Sequence, residues 1–356
     1  MYLQNYEELK KAIDSMVISP EEKLMIMAGD KSSVFIEAMI TYLNEKNIQF
    51  FGGIYSGLLV GNKNYREGFI VHKVKPVFTS LVLPHLMRFK QNPAEFNGCT
   101  AIVVVDGLSS SMKVLTDTLF DKLGSNVTYI GGGAGFYDMQ HRKCVFTNDG
   151  LFEDALYVCI IKNNTCLAVE HGWEKLQGPF FVKESLDNIL VQLDLDSAFE
   201  VYKHVIEEEE RITLFKDDFF IYAKDHPFGI IQKDGSIVVR DPIATNDKGE
   251  IICVADIPEG SDVYVLKGDV GTLLASSKKI TAICPVSKGK KYMPFLFNCI
   301  SRAMFLEDRF TEELSNIQNN LDFPLEGALS IGEIATNHDG SIMIHNKSTV
   351  LAYIEE

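Results

Sequence analysis

Pro294-Phe-Leu-Phe-Asn-Cys-Ile-Ser-Arg-Ala-Met-Phe-Leu306 places a single cation, Arg302, in an otherwise almost wholly apolar run. Read as a helix, the run puts Phe295, Cys299, Arg302 and Leu306 on one face and Leu296, Ile300 and Met304 on another. A helix that is apolar nearly all round is buried. A guanidinium cannot shed its proton to escape burial, so it needs an anion beside it. That anion is a carboxylate of the protein, or a carboxylate or phosphate of a ligand.

Working outward, the C-terminal sequence offers further polar residues in apolar settings. Glu333 interrupts Leu329-Ser-Ile-Gly-Glu-Ile334, and His345-Asn346 ends another apolar strand, with Thr349 three residues on. On one reading Glu333 pairs Arg302 in a structural cluster. On the other, Arg302 grips a ligand carboxylate bidentately while Asn346 fixes its orientation. Desolvation offsets most of the attraction in a buried ion pair, which favours the pocket. Cys299, Ser301, Gly132 and Gly133 complete the expected ligand-binding set with Arg302, Glu333, His345 and Asn346.

The first half alternates helix and strand patterns in two rounds. Each runs strand, helix, strand, glycine pair and returning hairpin: Leu24 to Val74 with Gly52-Gly53, then Thr100 to Ile161 with Gly131-Gly-Gly133. We read this as an internal pseudo-repeat of roughly 75 to 80 residues, too long for a solenoid unit. From Phe219 the chain is expected to turn to short strands (Phe219 to Ala223, Gly229 to Ile231, Ser236 to Val239, Ile251 to Ala255, Asp262 to Leu266). A helix near 269–276, a strand at 280–284 and a terminal sheet follow. The fold class is α+β, two modules of mainly antiparallel or mixed sheets covered by helices. The module boundary falls near residues 185 to 200, giving 1–190 and 191–356.

Composition narrows the function. Thirty-four basic against 49 acidic residues give a net charge of −15, a field that repels nucleic acid and anionic membrane. No uncharged run approaches the about 18 residues a spanning helix needs. Seven cysteines with no CxxC pair argue against zinc ribbons and thioredoxin-type sites, and scattered reduced thiols fit a cytoplasmic protein. The eight histidines show no tight metal-binding spacing, so no metal site is expected. Gly131-Gly-Gly-Ala-Gly135 lacks both the P-loop ending and the dinucleotide spacing, and marks positive φ or close backbone approach. A Cys299–His345 nucleophile pair has no accompanying oxyanion or elbow motif, so no catalytic role is expected.

At this point the chain resembles the FIST domain proteins, in both the N-terminal and C-terminal modules. Phe297-Asn-Cys-Ile-Ser-Arg302 resembles the family's Phe-Ser-Cys-x-Gly-Arg helix, Gly332-Glu333-Ile334 its Gly-Glu-Ile strand, and His345-Asn346 with Thr349 its Phe-His-Asn-x-Thr ending. His226-Pro-Phe-Gly229, Val239-Arg-Asp-Pro242, Ile257-Pro-Glu-Gly260 and Gly131-Gly-Gly-Ala134 match in order. Asn298 and Ser301 depart from the usual serine and glycine, and Gly52-Gly53 with Gly57 matches only loosely. The resemblance implies a sensory protein of signal transduction that binds a small amino-acid-like ligand, anionic or zwitterionic. With no kinase, cyclase or chemoreceptor signature in these residues, it would signal through such a partner in trans. Some relatives bind haem and sense nitric oxide. Here that would be non-covalent haem b, with His171 or His345 as the axial ligand. A scaffold acting through surface contacts is the third reading.

Overall fold

The computed structural model describes residues 1–83, 92–286 and 289–355. His85 therefore lies outside the described residues. Two apolar strands, Lys23–Gly29 and Cys99–Asp106, each centre a sheet in the first half. Both are buried along nearly their whole length, as strands with neighbours on both sides and cover on both faces must be. Each crosses through a helix, Ile36–Glu45 or Met112–Leu123, to a parallel partner, Phe50–Tyr55 or Val127–Ala134. Each then receives a returning antiparallel strand, Phe69–Val74 or Leu156–Ile161. The pseudo-repeat is thus a pair of βαβ units, and the mixed α+β architecture follows.

The glycines of the second unit lie inside the strand Val127–Ala134, not in a turn. They serve close approach: a Cβ on Gly133 would collide with the Ile331 carbonyl, and one on Gly132 with Phe297 and Ser330. Ile331 N–H donates to the Gly133 carbonyl at 2.9 Å, and Gly133 N–H to the Gly332 carbonyl at 2.8 Å.

The quoted stretch is not one helix. Tyr292–Cys299 is a strand, and the helix spans only Ile300–Leu306. Phe295 and Phe297 face the core shared with the first half, while Leu296 faces a second core. A strand buried on both faces reads as a continuous apolar run, which periodicity cannot tell from a buried helix. Pro294 falls where the strand is paired to Thr349–Glu355 alone, before pairing with Glu326–Ser330 begins at Leu296. Nor is the helix buried all round, since Met304 is 43% exposed. Two further assignments change: Phe219–Ala223 is helical, and residues 280–283 belong to the helix Val270–Ile283.

The halves share sheets. Gly57–Val60 pairs with Glu326–Ser330, Thr165–Glu170 with Thr349–Glu355, and Glu333–Thr336 with Val127–Ala134. A fourth, antiparallel sheet runs from Ile237–Arg240 through the long strand Glu174–Leu186 to Pro242–Thr245. Cys166 and Cys284 form a disulfide, tying the strand Thr165–Glu170 to the end of the helix Val270–Ile283. This corrects the reading of all thiols as reduced: the pair is 118 residues apart in sequence, and only the fold brings it together. Among the described residues no helix is long and apolar enough to cross a membrane.

Gly133→Ala is expected to cost about 1–3 kcal/mol in urea unfolding, because its Cβ meets backbone that cannot rotate away. An unchanged unfolding midpoint would show that the strand and the 331–332 backbone have room between them.

Candidate functional site

Arg302 is completely buried on the short helix Ile300–Leu306. Its Nε donates to Glu313 Oε1 and Oε2 at 2.9 and 3.0 Å. Nη2 donates to the Leu273 carbonyl at 2.8 Å and to Ser276 Oγ at 2.9 Å, and Nη1 donates to the His171 carbonyl. Each guanidinium nitrogen thus has an internal acceptor. The counter-ion is Glu313, not Glu333, and the structural cluster accounts for the charge. Asn298 Nδ2 (2.6 Å) and Thr349 Oγ1 (3.1 Å) also donate to Glu313 Oε1. The departure at Asn298 and the motif residue Thr349, paired across neighbouring strands, therefore meet on the same carboxylate.

Glu333 occupies a separate buried niche. Ser330 Oγ donates to its Oε1 at 2.7 Å and the Ser348 N–H to its Oε2 at 3.4 Å. Burial raises its pKa well above the usual carboxyl value, against the lowering effect of the Ser330, Ser348 and Cys299 hydrogen bonds. Burial first, then Glu333 and Asp241, push the Cys299 thiol up to about 12. That thiol keeps its proton at neutral pH, and among the described residues no hydrogen bond joins it to His345. Ser301 Oγ donates to Asp241 Oδ2 at 2.7 Å, and Asp241 Oδ1 pairs with the fully buried Lys347 at 3.1 Å. Gly132 lies opposite Glu333 in the sheet and, with Gly133, packs backbone rather than lining a cavity.

His345 and His171 meet elsewhere. They line a cavity of about 500 Å³ walled by the strands Thr165–Glu170 and Ile237–Arg240 and by residues 336–338. Burial and the neighbouring Arg302 lower His171 to about 4; burial, Arg240 and His171 lower His345 to about 3. Both rings are therefore neutral at pH 7. Trp173 N–H donates to His171 Nδ1 at 3.0 Å, which places the neutral ring's proton on Nε2. Among the described residues, buried His345 Nε2 has no hydrogen-bond partner, and neither does Asn346 Oδ1. Glu170, half-buried on the same wall, has its pKa raised by burial. The neutral imidazoles thus sit in the positive field of two buried guanidiniums. Of these, Arg240 bonds carbonyl oxygens of Asp256, Val239 and Ile344. Its nearest carboxylate oxygen, on Asp256, is 4.0 Å away.

This arrangement draws on both halves of the motif series. Residues 60–195 match the FIST N domain and residues 198–336 the FIST C domain. The chain is a FIST domain protein. FIST domains are a sensory and signalling family. Comparison with curated proteins gives no match.

Sequence reasoning overlooked Glu313 and Lys347 in this FIST chain, and quoted Arg240 within a motif without giving it a role. For Glu313 a signal was present. Phe310, Glu313, Leu314 and Ile317 form an i, i+3, i+4, i+7 stripe, so the acid lies on the buried face of its helix.

Arg302→Met is expected to cost about 3–5 kcal/mol by stranding Glu313, and Arg302→Met with Glu313→Leu far less than the sum of the two single changes. Strict additivity in urea unfolding would dissolve the pair. A pH dependence follows from the histidines. Their folded pKa values lie below the ordinary 6.5, so the unfolded chain takes up protons first as pH falls. Stability should therefore drop between pH 6.5 and about 4, by up to about 1.4 kcal/mol per pH unit per histidine. His171→Gln with His345→Gln should reduce that slope and leave the part due to His72, which burial also lowers to about 3; an identical slope in the double variant counts against buried neutral rings.

Proposed function

We propose that this FIST protein senses a small anionic or zwitterionic metabolite, amino-acid-like in chemistry, bound in the cavity between His171 and His345. The observation that carries the reading is a cavity lined by both His171 and His345, behind which the Nε2 of His345 is buried with no partner among the described residues. A buried polar atom without a partner costs free energy that a ligand can recover. His171 Nε2–H and His345 are suited to a ligand carboxylate, helped by the field of Arg302 and Arg240. Glu170 is suited to an ammonium group. Arg302 contributes charge from behind the wall, not contact. The cavity's walls come from both halves of the chain, so a ligand that bridges them would favour one arrangement of those strands. A partner in trans, such as a kinase, cyclase or chemoreceptor, would read that shift.

Thermal-shift screening of amino acids and dicarboxylic acids, followed by calorimetry, tests this. A ligand is expected whose affinity falls roughly tenfold or more in His345→Ala, the loss of one charge-assisted hydrogen bond in a buried site. The absence of any stabilising compound, or equal binding by the variant, would overturn the proposal.

Haem b is the second reading, favoured by the convergence of both axial candidates on one cavity. His171 fits poorly: its Nδ1 accepts the Trp173 N–H, so Nε2 holds the ring proton and has no lone pair for iron. His345 is the remaining candidate: its Nε2 is unengaged, but it is buried and would have to turn toward the cavity to meet iron. The wall includes Glu170, Ser236 and Asn337, more polar than a haem cleft needs. Haem when bound would supply an iron centre for diatomic gases. A Soret band after haem titration that vanishes in His345→Ala would support this; no band removes it.

A further inference from the structure

We propose that Asp106, His141 and Asp154 form a divalent-cation site, distinct from the histidine cavity. Asp106 ends the strand Cys99–Asp106, beside its parallel neighbour Val127–Ala134. The carboxyl ends of parallel strands are where open mixed sheets present ligand crevices. Asp154 lies two residues before the returning strand Leu156–Ile161, and His141 comes from the loop after Val127–Ala134. One ligand-capable atom from each side chain lies within 4.8 Å of the others. His141 Nε2 is 2.8 Å from Asp106 Oδ2 and 3.7 Å from Asp154 Oδ1. A cation about 2.1 Å from each ligand would set the ligand atoms roughly 3–3.5 Å apart, so only small adjustments are needed.

The two acids are held in advance. Leu108 N–H donates to Asp106 Oδ1 at 3.1 Å and Asp154 N–H to Asp106 Oδ2 at 2.9 Å. Ser109 Oγ donates to Asp154 Oδ1 at 2.6 Å. Such orienting bonds accompany metal ligands. Asp106 is 1% exposed, whereas the side chains of His141 and Asp154 are 39% and 44% exposed, which leaves one side open for entry and for water ligands.

The other βαβ unit supplies an internal comparison. There Asp30, just past its strand end, is covered by Arg66, with Nε–Oδ1 at 3.0 Å and Nη2–Oδ2 at 2.5 Å. Among the described residues no lysine or arginine pairs with Asp106 or Asp154. The second unit thus keeps the acid, adds another, and replaces the fixed cation with an imidazole. Two carboxylate oxygens, one imidazole nitrogen and water suit Mn²⁺ or Zn²⁺ better than Cu(I) or Ca²⁺. On binding, the cation takes the place of the proton shared between His141 Nε2 and Asp106 Oδ2, and ties the His141 loop to two strand ends.

The test uses the untagged full chain, stripped with chelator and titrated with MnCl₂ and with ZnCl₂. Calorimetry and Mn²⁺ electron paramagnetic resonance report uptake. One saturable site is expected, weakened roughly tenfold or more by Asp154→Asn and by His141→Gln. Asp138→Asn, on the same loop, should bind as wild type. Both ligand variants alter part-exposed side chains, and circular dichroism confirms that they fold. The proposal is overturned if neither ion gives saturable uptake, or if uptake survives in both ligand variants.

Discussion

The Arg302 guanidinium, held out of water, is the constraint around which the C-terminal half is organised. A charge that cannot be neutralised by proton loss must be surrounded by acceptors, and those acceptors have to come from several directions. Here they come from the helix Phe310–Gln318 through Glu313, from the helix Val270–Ile283 through Leu273 and Ser276, and from the segment after Thr165–Glu170 through His171. Asn298 and Thr349 attach two neighbouring strands to the same carboxylate. One cation thereby fixes how three helical segments sit against a sheet that also contains strands of the first half.

That arrangement sets the electrostatics of the histidine cavity. Because the His171 carbonyl is an Arg302 ligand, its imidazole is held close to a fixed positive charge, and Arg240 plays the same part for His345. Both rings stay neutral and present nitrogen atoms rather than charge. Burial raises the nearby Glu333 carboxyl well above its usual range, while Asp241 keeps Lys347 as its partner. The interior thus segregates matched ion pairs from neutral titratable groups. On the proposed reading, neutral imidazoles in a positive field are what selects carboxylates.

Much of the first half was legible because its elements obey local rules. The helices Tyr6–Ser15 and Met112–Leu123 carry an apolar stripe, and the buried strands are short apolar runs followed by glycine. The misreadings share one cause. Tyr292–Cys299, Phe219–Ala223 and residues 280–283 are short apolar segments whose neighbours, not their periodicity, choose strand or helix. The resemblance pointed to the motif residues but not to their bonding. Arg302, Asn298 and Thr349 meet on an acid that belongs to none of the quoted motifs.

By itself the sequence determined that Arg302 needs an anion, that two strand–helix–strand units precede a sheet-rich half, and that the glycines near 131–133 serve either positive φ or close backbone approach. Those conclusions rest on charge, periodicity and side-chain size, which are properties of single residues and their near neighbours. Only the tertiary structure decided that Glu313 rather than Glu333 answers the arginine, that Cys166 meets Cys284, and that His171 and His345 share a cavity. Each of those is a choice among partners tens to hundreds of residues apart. Strand pairing across the two halves makes that choice, and no local pattern encodes it.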